Sequence, residues 1–216
     1  MSNHIASMAR SPSPFPNAEQ RRKDRHAKRY ALLDAAARMF NARGFHASSL
    51  DDVAASVGVT KPTIYHYLAN KEQVLIECMR IGLIGLQEAA NQVNRAHGSG
   101  LEKLRAFLIR YAEVNMTEFG QCVIRTGDEL LSAEGLKELH SLKRPIDDAM
   151  RALLSEGMAD GSIVRGDAKL MAFALAGALN WPGRWYKASG ELAPPAIAER
   201  LTEILIAGLV PRGVGA

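Results

Sequence analysis

Leu50-Asp51-Asp52-Val53-Ala54-Ala55-Ser56-Val57-Gly58-Val59-Thr60-Lys61-Pro62-Thr63-Ile64-Tyr65-His66-Tyr67-Leu68 reads as two short helices joined by a tight turn. Ser49 precedes the first helix as its N-cap, with Asp52 three residues on as the reciprocal partner. Asp51 and Asp52 also suit the positive end of that helix. Val53, Ala54 and Val57 supply its buried face, and Gly58 ends it where a positive φ is needed. Val59 plugs the turn. Thr60 caps the second helix, whose first turn tolerates Pro62 because no intrahelical N–H bond is lost there. Ile64, Tyr67 and Leu68 face inward, which leaves Lys61, Thr63, Tyr65 and His66 outside. Those side chains suit phosphates and base edges, so the pattern points to a helix-turn-helix DNA reader. A helical hairpin with a merely polar outer face is the competing reading. The agreement of caps, glycine, core positions and polar face argues against it. Asn70 caps the next helix, and Lys71 at its start can reach a phosphate that the helix N-terminus also attracts.

Charge is uneven along the 216 residues. Residues 1–71 hold 11 Lys and Arg against 5 Asp and Glu, the rest 16 against 18, for a formal net charge of +4. A basic first third on a mildly acidic remainder suggests a polyanion-facing module attached to something else. Cys78 and Cys122 lie in apolar, helix-like stretches. With no signal peptide evident, they read as reduced thiols of a cytoplasmic protein. The longest nearly uncharged run, Leu170 to Gly183, is too short to span a bilayer, so no membrane contact is expected.

Outward from the core motif, residues 1–22 read as an irregular arm. The prolines of Ser11-Pro12-Ser13-Pro14-Phe15-Pro16 remove donors and fix φ, and Arg21-Arg22-Lys23 begins a basic approach to the first helix. Such an arm either touches DNA or is disordered, and Met8 is an alternative start. Tyr30, Leu33, Ala37 and Phe40 mark an amphipathic helix ended by Gly44. Similar stripes follow at Leu101, Leu104, Leu108 and Tyr111, and at Leu139, Leu142, Ile146, Met150 and Leu153. Others run through Leu170, Phe173, Ala174, Gly177, Ala178 and Trp181, and through Ile197, Leu201, Ile204, Leu205 and Gly208. Pro145 inside the third pattern is expected to kink or restart its helix. No segment sustains period-2 alternation. The chain is therefore read as all-α with about nine helices: an arm (1–22), a helix-turn-helix domain (23–70) and a larger helical domain (71–216).

In the larger domain, the alanines and Gly177 between Ala168 and Ala178 let another helix approach closely. With the last helix they suit a four-helix interface between two copies, or else a monomeric core. Asn180-Trp181-Pro182-Gly183-Arg184-Trp185-Tyr186 is the unusual motif. Either Trp181 is core and Arg184 lies on an aromatic face, or Arg184 and Trp185 line a site for an anionic, partly apolar ligand. An enzyme finds little support: there is no G-x-S-x-G elbow, phosphate loop or dinucleotide fingerprint. No Cys/His pair has metal-ligand spacing, so neither metal nor cofactor is expected.

The run Arg38-Met39-Phe40, Gly44-Phe45, Ser48-Ser49-Leu50-Asp51-Asp52-Val53-Ala54, Gly58-Val59-Thr60, Ile64-Tyr65-His66-Tyr67-Leu68 and Lys71-Glu72 resembles the N-terminal domain of the tetracycline-repressor (TetR) family. Leu68 stands where that family usually has phenylalanine, and Ala69 where proline or serine is common. The resemblance implies a C-terminal ligand-binding and dimerisation domain, a palindromic operator and repression relieved by a small molecule. It places Lys61, Thr63 and His66 against bases, and Ser48, Tyr65 and Lys71 against the backbone. A two-fold dimer sets two recognition helices about 34–36 Å, one DNA turn, or a multiple apart. A second set of motifs is similar to the TetR branch that senses acyl-CoA thioesters in fatty-acid, branched-acid and steroid catabolism. It comprises Asp128-Glu129-Leu130-Leu131-Ser132, Glu156-Gly157, Asp160-Gly161, Gly177-Ala178-Leu179-Asn180-Trp181, Arg184-Trp185-Tyr186, Ile204-Leu205 and Gly208-Leu209. That likeness implies an apolar tunnel for an acyl chain and basic residues for the coenzyme phosphates. Arg125, Arg184 and Lys187 are candidates for the basic role, beside Trp181 and Trp185. Met116, Phe119, Met150 and Phe173 are candidates for the wall. Release by a neutral or cationic aromatic compound, with an efflux gene as target, is the alternative. A constitutive architectural DNA binder would leave the long non-basic domain without a task beyond dimerisation.

Overall fold

The structure, a computed structural model, describes residues 17–211 and contains helices and loops only among them. Among the described residues there are nine helices of seven residues or more, one single-turn α-helix and a 3-10 turn at Asp128–Leu130. The α-helices are α1 (Ala18–Arg43), α2 (Leu50–Ser56), α3 (Lys61–Tyr67), α4 (Lys71–Asn94), α5 (Gly100–Asn115), α6 (Glu118–Arg125), α7 (Ala133–Ala159), α8 (Ala168–Asn180), the short α9 (Pro182–Trp185) and α10 (Pro194–Ile206).

Residues 1–16, most of the expected arm, lie outside the described residues. Its last five residues, Ala18–Arg22, do not form an approach to α1; they are its opening turns. Asn17 caps the helix by accepting the Gln20 N–H at 2.7 Å, and the Lys23–Glu19 pair at 2.8 Å supports the first turns. Local capping and i,i+4 pairing suffice there, with no apolar stripe for periodicity to find. Tyr30, placed on the apolar face by spacing, is half exposed and meets Phe119 of α6 edge-on, ring centroids 5.3 Å apart.

The α2–α3 unit follows its local signals. Ser49 and Asp52 form the reciprocal capping box, Thr60 caps α3, and Gly58 makes the turn at φ +69°. Val57 departs from expectation. It is exposed, because α2 has already ended at Ser56 and Val57 belongs to the turn.

The larger domain is built around α5. Leu104, Phe107, Leu108, Tyr111, Ala112 and Asn115 are buried on more than one face, with α4, α6, α7, α8 and α10 packed about them. Close approach needs glycine: a Cβ on Gly82 of α4 would stand 2.8 Å from the Phe119 carbonyl oxygen of α6. The Asp160-Gly161 corner serves α5 directly. Asp160 accepts the Gly100 N–H at 2.7 Å and Ser162 Oγ accepts that of Leu101 at 3.1 Å, so two open donors at the α5 N-terminus are satisfied from the end of α7.

Pro145 does not restart α7, which runs unbroken over Ala133–Ala159. The carbonyl four residues back belongs to exposed Ser141, where water can replace the lost donor. The next carbonyl, of Leu142, accepts Gln87 Nε2 of α4 at 2.9 Å.

Candidate functional site

Two surfaces carry the chemistry. The first is the outer face of α3. Ile64 and Leu68 anchor the helix in the core, which forces Lys61, Pro62, Tyr65 and His66 outward. Tyr65 is 53 % exposed. Thr60 Oγ1 and Thr63 Oγ1 lie 2.9 Å apart, so the half-buried Thr63 hydroxyl is engaged with the cap. Lys61 Nζ sits 2.6 Å from Asp51 of α2, and the hydrogen bond and charge of Asp51 hold the ammonium above its ordinary pKa. The C-terminal end of α3 is fixed by Arg29 of α1. Its Nε donates to the Tyr67 carbonyl at 3.3 Å while Nη2 pairs with Glu77 of α4. Arg29 was not foreseen, since nothing local marks one arginine among the many of α1.

The flanking candidates divide. Ser49 is half buried, and its hydroxyl and backbone N–H are both engaged by Asp52. Lys71 stands over the Phe45 ring at 4.2 Å, half buried and close to the same surface. Ser48 does not face outward: it is 5 % exposed and donates to the Gly44 carbonyl at 2.8 Å. Its hydroxyl closes the α1–α2 corner, a role that linear spacing does not distinguish from a surface serine.

The second surface is a cavity of about 540 Å³, open to the outside beside Phe173 and Trp181 and lined by residues of α4–α9. Its body is apolar, with Leu83 and Leu86 from α4, Val123 and Ile124 from α6, and Ile146 and Met150 from α7. Polar groups gather toward the α8–α9 junction. There Tyr111 Oη donates to Asn180 Oδ1 at 3.0 Å, and Asn115 Nδ2 donates to the same oxygen at 3.0 Å and to the Leu179 carbonyl at 3.3 Å. Burial pushes the Tyr111 hydroxyl up to about 12, so it stays a neutral donor at physiological pH.

Lys143 and Arg184 also line the cavity, and neither has a carboxylate within 4 Å among the described residues. The helices α7 and α8, joined by residues 160–167, fold back on one another, and Arg151 packs on the Phe173 ring at 5.5 Å. Lys143 on α7 and Arg184 on α9 thus line the same cavity as Asn180 and Trp181, as does Asp147, which is paired with Arg151.

Of the five effector candidates, Trp181 and Arg184 line this cavity. Trp181 is 63 % exposed and so is not core, and Arg184 is stacked on neither tryptophan among the described residues. The other three do not line it. Trp185 is half exposed on α9. Lys187 borders a separate surface groove between α1, α5, α6 and α10, as does Arg125. The Arg125 guanidinium is spent on three backbone carbonyls: Gly183 at 2.9 Å, Asn41 at 3.0 Å and Arg184 at 3.2 Å. Among the wall candidates, Met150 and Phe173 line the cavity, whereas Met116 borders the groove and Phe119 packs on Tyr30. Lys143, Tyr111 and Asn115 were missed. Their stripes mark them only as helix-face residues, and cavity and core share one periodicity.

A helix-turn-helix with a polar outer face, carried by an all-α domain with a cavity, points to a DNA-binding regulator. The chain belongs to the TetR family of DNA-binding transcriptional regulators, which are not enzymes. Residues 32–78 match "Bacterial regulatory proteins, tetR family", and residues 97–209 match "Tetracyclin repressor-like, C-terminal domain". The transcriptional repressor KstR2 of Mycolicibacterium smegmatis is 29 % identical over 188 residues, covering 85 % of this chain and 91 % of that protein. Among solved structures, the TetR regulator PfmR of Thermus thermophilus superposes with a TM-score of 0.75 at 27 % identity, covering 82 % of this chain and 97 % of that one. AibR, solved in complex with isovaleryl coenzyme A and operator DNA, superposes at 0.72 with 25 % identity, covering 82 % and 97 %. No helix among the described residues is long and apolar enough to cross a membrane.

Proposed function

We propose that this protein is a homodimeric repressor of a palindromic operator, released by an acyl-CoA thioester. The observation that carries the effector reading is the cavity: an apolar body lined also by the cations Lys143 and Arg184, neither with a carboxylate within 4 Å among the described residues, and by Asp147, which is paired with Arg151. A neutral apolar ligand gives those charges nothing, whereas an amphipathic anion satisfies both ends. The complex of AibR with isovaleryl coenzyme A and operator DNA supports the same ligand class on the same fold. The sequence likeness to KstR2 adds a relative named as a repressor.

On the output side, α1–α3 form the DNA-binding unit and α4–α10 the effector and dimerisation unit. Lys61, Thr63 and His66 read base edges, while Tyr65 and Lys71 hold phosphates, with Ser49, Thr60 and Pro62 setting the start of each helix. Docking requires Lys61 to exchange Asp51 for DNA. Dimerisation uses α8 and α10. Leu170 on α8 is 63 % exposed, with Ala174 and Ala178 exposed along the same helix, and Ile204 on α10 is 71 % exposed. An apolar stripe of this kind on a soluble domain is an unsatisfied interface.

The test is a gel-shift titration of operator with a panel of short, long and ring-bearing acyl-CoA thioesters. Release by at least one thioester is expected, blunted in Arg184→Ala and Lys143→Ala. No change with any thioester overturns the effector reading. Release by a neutral or cationic aromatic compound would favour control of an efflux gene.

A further inference from the structure

The Arg125 guanidinium does not line the cavity, but it bonds backbone beside it and backbone of the DNA-binding unit. Its chain neighbours Ile124 and Thr126 line the cavity. Two of its acceptors, the Gly183 and Arg184 carbonyls, belong to α9 at the cavity's polar end. The third, the Asn41 carbonyl, belongs to the last turn of α1, three residues before the chain turns at Gly44 toward α2. The same turn is held again by α6, because Asn41 Nδ2 donates to the Glu118 carbonyl at 2.8 Å and to Glu118 Oε2 at 3.0 Å.

One planar fork thus ties three carbonyls from two distant segments, a geometry that lysine cannot reproduce. The α9 side of the clasp is tightly seated. A Cβ on Gly183 would stand 3.0 Å from the Asn115 carbonyl oxygen and 3.1 Å from Ile124 Cγ1, so α9 cannot shift without disturbing α5 and α6. A ligand that engages Arg184 acts on the same short helix whose backbone Arg125 grips.

We propose that Arg125 is the positioning residue that couples the cavity to the DNA-binding unit, holding α9 and the end of α1 in one arrangement. The proposal rests on reading the cavity as the effector site. It differs from the sequence expectation, which gave Arg125 to the ligand. Coupling of this sort is a free energy shared by two sites and is read as a ratio of affinities, typically about 5–150-fold.

The test is a double-mutant cycle on operator affinity in the ligand-free protein, so that it does not depend on knowing the effector. Gly183→Ala displaces α9 directly. It is expected to weaken operator binding about 5-fold or more in the wild-type background and less than about 2-fold in Arg125→Met. Equal effects in the two backgrounds, or no effect in the wild type, overturn the proposal. Arg125→Lys, which keeps the charge and loses the fork, supplies a second measurement. Amide exchange should quicken together in residues 41–49 and 183–186 and stay unchanged in α7; quickening at one segment alone also overturns it. Calorimetric titration with hexadecanoyl-CoA separates the two readings. Absence of binding counts against the thioester while the cycle still judges Arg125.

Discussion

Replacing Leu170 and Ile204 together with glutamate should separate the proposed dimer into monomers without unfolding it. Leu170 on α8 is 63 % exposed and Ile204 on α10 is 71 % exposed in the single chain. The two helices meet, and the Val164 N–H donates to the Leu209 carbonyl at 2.9 Å, so the start of α8 lies beside the end of α10. Full burial of Leu or Ile is worth ~1.5–3 kcal/mol, so covering the exposed two-thirds contributes ~1–2 kcal/mol per side chain. A two-fold interface uses each residue twice, which makes four side chains and ~4–8 kcal/mol. That corresponds to a dimer dissociation constant raised by roughly 10³- to 10⁶-fold, before any cost of facing carboxylates. Sedimentation of the double variant from nanomolar to micromolar concentration measures it. Far-ultraviolet circular dichroism should match the wild type, because both side chains already meet water in the monomer. A double variant that dimerises as tightly as the wild type would refute the assignment of α8 and α10 to the interface.

The remaining predictions concern DNA, the Ser48 corner and acid. Lys61→Ala and Tyr65→Ala should abolish or severely weaken operator binding in gel shifts while leaving the dimer intact. Lys71→Ala should flatten the salt dependence by about 0.9 per lost phosphate contact, about 1.8 for a dimer; an unchanged slope contradicts its phosphate role. Ser48→Ala should lower thermal stability by ~0.5–1.5 kcal/mol, the net worth of its bond to the Gly44 carbonyl, and leave the salt slope of DNA binding unaltered. Stability should also fall in acid. Asp52, Glu72, Glu102 and Asp160 are held below the ordinary carboxylate range by hydrogen bonds, from the Ser49 side chain, the Ser132 backbone, the Ser99 backbone and the Gly100 backbone respectively. Each folded-state pKa lies under its unfolded value. The unfolded chain therefore binds more protons, and the stabilisation is complete above about pH 4–5 and lost as pH drops through the depressed values. A denaturation midpoint that does not move between pH 5 and pH 3 would contradict those bonds.

The helix-turn-helix was legible in the sequence because its determinants are local. The Ser49–Asp52 box, the Thr60 cap, Gly58 and the buried Val53, Ala54, Ile64 and Leu68 are fixed by neighbours within four residues, and each stands where the sequence places it. In the larger domain the stripes of α5, α7, α8 and α10 were legible for the same reason, whereas the short α6 and α9 were not. The exceptions arose where a local rule lacked a partner. The opening turns of α1 carry no apolar stripe, and Pro145 is tolerated in α7 because the carbonyl it deprives is exposed. The sequence by itself determined the elements, the family and the polarity of the recognition face. Only the tertiary structure decided which side chains meet the cavity, because a helix face turned to a cavity has the same period as one turned to a core. It set Lys143 and Arg184 on the lining of one cavity, buried Ser48, and turned the Arg125 guanidinium onto three backbone carbonyls. Those outcomes depend on residues dozens of positions apart, and such pairings leave no trace in spacing along the chain.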